Sequence, residues 1–262
     1  MALPPSPPGL WTSLGTAASV DWCEANYAVV SWIAEFWNTL SSIPILAAGL
    51  IGFWLCRRTP WVIAPRFPLV FAGIALVGLG SVAFHGTLLA VPQALDELPM
   101  VYVALLLAYC LRFGQSEGGS SAHTRWRWGL CIFGAGFTLA YFTSETYFLI
   151  FIASFAAVVA WLCIQGGRVA HRPGGGTSLR ALYWTAAGSF VGAFLIFWLP
   201  ERFLGCDHPL QGFQLHALFH LMATVGTYTA GLVMLYDRLQ HRGCDPQLTW
   251  QLPAPFLGPP RN

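Results

Sequence analysis

The sequence predicts an all-α membrane protein, a seven-transmembrane helix bundle with its N-terminus lumenal or extracellular and its C-terminus cytosolic. Three observations carry that prediction. Charged side chains make up only 9% of the 262 residues and hydrophobic ones 56%, whereas an ordinary soluble domain is about 25% charged. Seven apolar stretches, most of them near the 20 or so residues that a spanning helix needs, alternate with short polar loops. The positive charges are also segregated. There is no lysine; three arginines fall in each of the loops after the first, third and fifth stretches and three (Arg238, Arg242, Arg261) in the C-terminal tail, while Arg202 falls on the other side, 12 against 1. Excess Lys and Arg in short loops marks the cytosolic face, which sets the orientation and requires an odd number of spans.

Residues 1–20 are rich in Pro, Gly, Ser and Thr and read as a mostly unstructured tail, without the basic n-region of a cleaved signal peptide. The acidic stretch DWCEANY, residues 21–27, comes next. The first span covers 33–56, despite Glu35 and Asn38 near its start and Pro44 inside it. The second covers 67–84 and the third 95–111, joined by a short connection containing Pro92. A rather short fourth span at 128–141 turns into the fifth at 146–164. A Gly- and Arg-rich loop, 166–180, leads to the sixth at 181–199, a further loop at 200–212 to the seventh at 213–236, and the Pro-rich end from Asp237 reads as disordered. The organisation is therefore a lumenal tail (1–32), one membrane bundle (33–236) and a cytosolic tail (237–262). A net charge of +2 with no basic run excludes nucleic acid as a partner. The seven cysteines form no CxxC pattern. Cys56, Cys110, Cys131, Cys163 and Cys244 lie in spans or near one set of loops and are expected free. Cys23 and Cys206 share the opposite, oxidising side, where a disulfide between them is expected.

Chemistry concentrates at one membrane edge. Residues 78–99, GLGSVAFHGTLLAVPQALDELP, set Ser81, His85, Asp96 and Glu97 among apolar neighbours, where ionisable groups are costly unless paired, metal-bound or wet. Far downstream, FQLHALFHLMATVGTY places His216 and His220 four residues apart, on one helical face. Three imidazoles and a carboxylate at one depth match a catalytic zinc site with three protein ligands and an open position; the HxxxH pair alone would equally suit helix packing. Ser81, one turn before His85, suits either a hydroxyl aimed at the metal or close helix approach beside Gly78 and Gly80. Asp21, Glu24, Asn26 and Glu35 offer the hard oxygens that calcium takes, but no EF-hand pattern is present, and spacing alone favours a solvated acidic loop or a helix cap. The 12 tryptophans read as interfacial belts and packing.

The segments DWCEANY with IAEFWNTLS, GLGSVAFHGTL with ALDELPMVY, and QLHALFHLMATVGTY occur in that order across most of the chain. They resemble the alkaline ceramidases, within a wider superfamily of seven-span membrane hydrolases that includes adiponectin receptor relatives, and are most similar to the type found in the Golgi and endoplasmic reticulum. The resemblance implies zinc at His85, His216 and His220, catalytic roles for Ser81 and Asp96, and calcium on Asp21, the Trp22 backbone carbonyl, Glu24, Asn26 and Glu35. The implied activity is a zinc-dependent, calcium-supported amidase that takes ceramide from the bilayer and uses water to release sphingosine and a fatty acid. In that scheme Asp96 accepts a proton and Ser81 steadies the oxyanion. Two rivals from the same superfamily are a receptor-like lipid-binding protein with a structural zinc and a lipid-remodelling ester hydrolase. One departure stands out: near the end of the sixth span the family usually carries an Asp before a Cys, whereas this chain reads WLPERFLGC, with Pro200, Glu201 and a shifted Cys206.

Overall fold

A bilayer offers backbone N–H and C=O groups no water, so apolar spans must satisfy them internally as helices. That is the architecture observed in a computed structural model, which describes residues 11–58, 64–116, 119–207, 209–244, 246, 248–251 and 254–257. The helices are α1 (Phe36–Arg57), α2 (Arg66–Thr87), α3 (Ala90–Phe113), α4 (Ser121–Thr143), α5 (Tyr147–Ala170), α6 (Gly176–Ala193), α7 (Leu199–Leu204) and α8 (Leu215–His241). A π-helical turn, Phe194–Trp198, joins α6 to α7 and makes them one continuous stretch of 29 residues. Among the described residues six units are long and apolar enough to cross a membrane: α1, α2, α3, α5, α6 through α7, and α8. The remaining long helix, α4, has 23 residues, about 35 Å at the helical rise, but opens with Ser121, His123, Arg125 and Arg127 and falls short on composition.

Several boundaries differ from the sequence expectation, each for a physical reason. Helix α2 continues past Phe84 to Thr87, so His85 sits within it. Helix α3 begins at Ala90, so Asp96 and Glu97 lie inside a helix rather than at its mouth. Pro92 does not prevent this, because a first-turn residue has no intrahelical partner for its N–H in any case. At the other end, α8 extends through Asp237 and Arg238 because both are partnered: Asp237 pairs with Arg172, and Arg238 Nη1 donates to the Gly114 carbonyl at 3.1 Å.

The tails are more ordered than composition indicates. Leu248–Gln251 and Ala254–Leu257 form an antiparallel pair of strands, β1 and β2, with β2 lying against α8, which corrects the reading of the C-terminal end as wholly disordered. Residues 11–20 are not a loose tail either. The Thr16 carbonyl accepts from Ala90 N–H at 2.9 Å, Ala18 N–H donates to the Leu88 carbonyl at 2.8 Å, and Ser19 N–H donates to Gln93 Oε1 at 2.9 Å. Ala90 is the first residue of α3, so its N–H needs a partner from outside the helix, and the small residues of this segment lie flat enough to supply one. Residues 1–10 and 258–262 lie outside the described residues.

Two glycines set the helix spacing around the polar residues. A Cβ on Gly78 would stand 2.2 Å from the Leu46 backbone nitrogen, and one on Gly80 2.2 Å from the Leu95 carbonyl oxygen. Helix α2 is thereby brought into backbone contact with α1 on one side and α3 on the other, the close approach that small residues permit in membrane bundles. Phe67, Phe71, Ile74, Leu179, Leu182, Leu232 and Met234 fill one core; Val20, Trp22, Phe84, Trp198, Phe219 and Ala223 fill a second at the end that carries the histidines. Gly78→Ala is expected to lower the thermal midpoint in detergent, at an overpacking cost of about 1–3 kcal/mol or more. Gly136→Ala, with nothing within 4 Å of the added carbon, is the matched control and should hold or raise the midpoint.

Candidate functional site

Helix α2 supplies His85, and the first two turns of α8 supply His216 and His220. Their ligand nitrogens lie within 4.8 Å of one another, and all three side chains are buried. Each ring is oriented by what surrounds it. His85 Nδ1 is hydrogen-bonded to Glu35; with Glu35 ionised the carboxylate accepts only, so Nδ1 carries the proton and Nε2 keeps its lone pair. His220 Nδ1 lies 2.9 Å from Ser41 Oγ. The Ser41 hydroxyl already donates to the Asn38 carbonyl at 3.1 Å, so it must accept from Nδ1–H, again leaving Nε2 free to ligate. The indole of Trp22 stacks on His216, with ring centroids 3.6 Å apart and planes 18° apart. His85 Nε2 and His216 Nδ1 are buried without a hydrogen-bond partner. Buried imidazole nitrogens lacking partners are rare in folded proteins; converging here in an apolar shell, with outer partners fixing the tautomers, they form a donor set suited to a metal ion.

The acidic loop lies directly over this cluster and is tied to it. Glu35, immediately before α1 and fully buried, accepts from Trp22 N–H through Oε1 at 2.9 Å and from Asn38 Nδ2 through Oε2, at 3.2 Å, besides meeting His85. Glu24 accepts from Trp37 N–H at 2.7 Å and Asn38 N–H at 2.9 Å, so it caps the first turn of α1, as one sequence alternative allowed. Asn26 Nδ2 bridges both Asp21 oxygens, at 3.1 and 3.0 Å, and the Asp21 and Glu35 carboxyls are hydrogen-bonded to each other. Burial pushes Glu35 up to about 7. Partial burial is also the main cause of the rise of Asp21 to about 6, partly offset by Asn26 and reinforced by Glu35; burial raises Glu24 as well. Two neighbouring carboxyls resist ionising together, and Asp21, Glu24, Asn26 and Glu35 with the Trp22 carbonyl are the oxygen donors gathered there. The Cys23–Cys206 disulfide is formed, with a Cα–Cα distance of 5.0 Å, and Cys56, Cys110, Cys131, Cys163 and Cys244 are free.

Ser81 Oγ lies 2.9 Å from Ser42 Oγ, which in turn is 3.3 Å from His220 Nδ1, so a hydroxyl path links Ser81 to the histidines. Asp96 lies across from Ser81's helix at Gly80, where an added Cβ would stand 2.7 Å from the Asp96 backbone nitrogen, and is not among the grouped metal-ligand residues. Glu97, next to it, faces elsewhere and accepts from Gln93 Nε2 at 2.9 Å and from the Tyr141 hydroxyl at 2.7 Å. Among the described residues, the non-glycine positions with positive φ are Tyr27 (57°), Leu88 (52°) and Gln214 (53°). They lie in the acidic loop, three residues after His85 and two before His216, as strained backbone often does near sites.

Sequence reasoning missed Asn38, Ser41 and Ser42, although their i, i+3, i+4 spacing draws a polar stripe along an apolar helix. It also missed the Trp22 ring as a cover for His216. The model of the Ceramidase family matches residues 15–257. Similar proteins include one named putative alkaline ceramidase dcd3A from Dictyostelium discoideum, 30% identical over 80% of this chain and 83% of that protein. An alkaline ceramidase from Arabidopsis thaliana is 29% identical over 92% of this chain and 90% of its own length. Alkaline ceramidase 3 from Mus musculus is 28% identical over 94% and 95% respectively. A match over nearly the whole chain, with the three histidines converging in its interior, shows that the chain belongs to the Ceramidase family.

Proposed function

We propose that this chain hydrolyses the N-acyl bond of ceramide, releasing sphingosine and a fatty acid, with zinc held by His85, His216 and His220. The observation that carries the reading is the pair of buried, unpartnered nitrogens, His85 Nε2 and His216 Nδ1, on rings grouped with His220. Bound there, zinc supplies Lewis acidity toward a carbonyl oxygen and acidifies water toward a pKa of about 7. Glu35 and Ser41 hold two of the rings in the ligating tautomer. Asp96 accepts the proton of the attacking water and returns it to the departing sphingosine nitrogen, which balances the hydrolysis. The Ser42 hydroxyl donates to the Asn38 carbonyl, so Ser81 donates to Ser42 in the resting site; in the reaction its hydroxyl turns to donate to the carbonyl oxygen on which charge develops. Trp22, Phe84 and Phe219 keep the cluster dry, which strengthens each of these interactions.

Calcium, in this reading, is held by Asp21, the Trp22 carbonyl, Glu24, Asn26 and Glu35, and separates the two carboxyls that otherwise share a proton. Because Glu35 also meets His85, a cation in the loop and a cation on the histidines are joined through one side chain. Helix α4 crosses as the seventh span, with the N-terminus lumenal and residues 237–262 cytosolic, in the membrane of the endoplasmic reticulum or Golgi. The arginine distribution supports that orientation.

The decisive experiment is to purify the protein, measure its bound metals and follow free sphingosine from ceramides of several chain lengths. Ser81→Ala is expected to lose about 10²- to 10³-fold in turnover while keeping its metal, and His216→Ala to lose the metal itself. A Ser81→Ala, Asp96→Asn double variant that kept full hydrolysis would rule out this chemistry, and a metal-bound wild type without product release would favour a receptor-like protein. Calcium has its own signature. Glu35 at about 7 and Asp21 at about 6 stand above their unfolded values, so without cation the folded protein retains protons that the unfolded chain releases. Stability in chelator should therefore fall as pH rises from about 4 through 7, mostly through Glu35, since Asp21 is better solvated. Added calcium should restore it, with the largest effect above pH 7, as read by thermal unfolding. Protease protection should place the 166–180 loop on the cytosolic side; a lumenal loop would invert the topology.

A further inference from the structure

Glu97 stands beside the proposed proton acceptor Asp96 and takes no part in the chemistry derived above. It is nevertheless buried in an apolar span, where an ionisable group is costly unless its partners compensate. Those partners are definite. Oε2 accepts from the hydroxyl of Tyr141, in the last turn of α4, at 2.7 Å, and Oε1 accepts from Gln93 Nε2, one turn earlier in α3, at 2.9 Å. Both partners are themselves buried. Residues four apart share a helix face, so Gln93 and Glu97 act as a pair.

Gln93 passes this anchoring to the N-terminal segment. The Ser19 N–H can only donate, and it donates to Gln93 Oε1 at 2.9 Å. The Gln93 amide has two unlike ends; turned the other way it would set its NH2 against that N–H. Glu97 decides which way it faces, because a carboxylate oxygen receives Nε2 and would repel Oε1. Ser19 in turn belongs to a strap, residues 16–22, that runs along the connection between α2 and α3: the Thr16 carbonyl accepts from Ala90 N–H, and Ala18 N–H donates to the Leu88 carbonyl. The strap delivers Val20 and Trp22, both buried, into the aromatic core around the histidines, where the Trp22 ring lies 3.6 Å from the His216 ring. A bonded line therefore runs from α4 through Glu97 and Gln93 to the cover of one proposed metal ligand.

We propose that Glu97 is a positioning residue for the hydrolytic site: with Tyr141 behind it, its side chain orients the Gln93 amide to hold the strap at Ser19, and so keeps Trp22 seated over His216. The inference rests on the metal-site reading and deepens it. The role is one of hydrogen-bond geometry rather than charge, so glutamine at position 97 is admissible. Its oxygen can receive Gln93 Nε2, and its NH2 can turn to the Tyr141 oxygen, since a hydroxyl accepts as well as donates. Leucine keeps the volume and offers neither bond.

Glu97→Leu and Glu97→Gln test this, with Gln93→Leu as an independent cut in the same line. Hydrogen exchange of amides 17–22 would be followed in the metal-free protein, and kcat and KM for ceramide in the metal-saturated one. In Glu97→Leu, those amides should exchange about 2- to 10-fold faster, the weight of one hydrogen bond, while amides in the middle of α8 stay unchanged. Its kcat should fall about 10- to 100-fold, as misplacement of a supporting group allows, with KM little changed. Glu97→Gln should recover most of both losses. Gln93→Leu should reproduce them, and the Glu97→Leu, Gln93→Leu double variant should be no worse than either alone, because residues in one network are not additive. Unchanged strap exchange in Glu97→Leu would overturn the proposal, as would faster exchange with kcat intact, or equal losses in the Leu and Gln variants, which would make charge the cause. A wild type that releases no sphingosine while the exchange difference persists would leave the clasp on the strap standing and remove the hydrolytic reading beneath it.

Discussion

The carboxylate of Glu35 joins three separate parts of the chain. One oxygen fixes the acidic loop through Trp22 N–H, and the other receives Asn38 Nδ2 from α1 and His85 Nδ1 from α2. A fully buried carboxylate is costly unless its lone pairs are met by donors, and these three donors come from three different segments. The tautomer of His85, the start of α1 and the height of the loop above the histidines are therefore one constraint. Helices α1 and α2 can satisfy it because Gly78 lets their backbones touch.

Around that point the polar groups form a layer rather than a scatter. Helix α1 contributes Asn38, Ser41 and Ser42, α2 contributes Ser81 and His85, and α8 contributes His216 and His220, with aromatic side chains closing the layer above and to the sides. Hydrogen bonds inside such a shell are electrostatically stronger than in water, and a missing partner there is correspondingly expensive. The shell thus gives rigidity to the rings whose remaining nitrogens point at one another. At the far end of the bundle polar residues do other work: the Arg172–Asp237 pair, the Arg238 bond to the Gly114 carbonyl, and His123 between Tyr109 and Ser116 close loops over helix ends.

Much of this was legible in the sequence, and the parts that were not share a cause. Composition and apolar length determine the helical bundle, because a bilayer permits few alternatives. Helical spacing paired His216 with His220, and the scarcity of ionisable residues elsewhere left His85 as the third member. The pairing of Cys23 with Cys206 followed from which side each occupies. What local reading could not supply was long-range satisfaction. Residues 11–20 look loose by composition but meet the N–H of Ala90 at the start of α3, and the charged end of α8 stays helical because Arg172 and Gly114 come to it from other loops. Glu201 accepts from the N–H of Cys23, near the other end of the chain. In each case the deciding partner lies far away in sequence.

The Cys23–Cys206 bridge spans 183 residues, and the two histidines of α8 come later still. A chain made from its N-terminus therefore supplies α1 and α2, with Glu35 and His85, long before His216 and His220 exist. Domains made progressively from the N-terminus expose incomplete packing as they grow, yet this first pair of helices carries its own hydrogen-bond partner for the ring it buries. The histidine cluster itself closes with the last spanning helix, which brings His216 and His220 to His85. A chain ending between α2 and α8 would keep its apolar surfaces and its acidic loop and bury a single imidazole of the cluster.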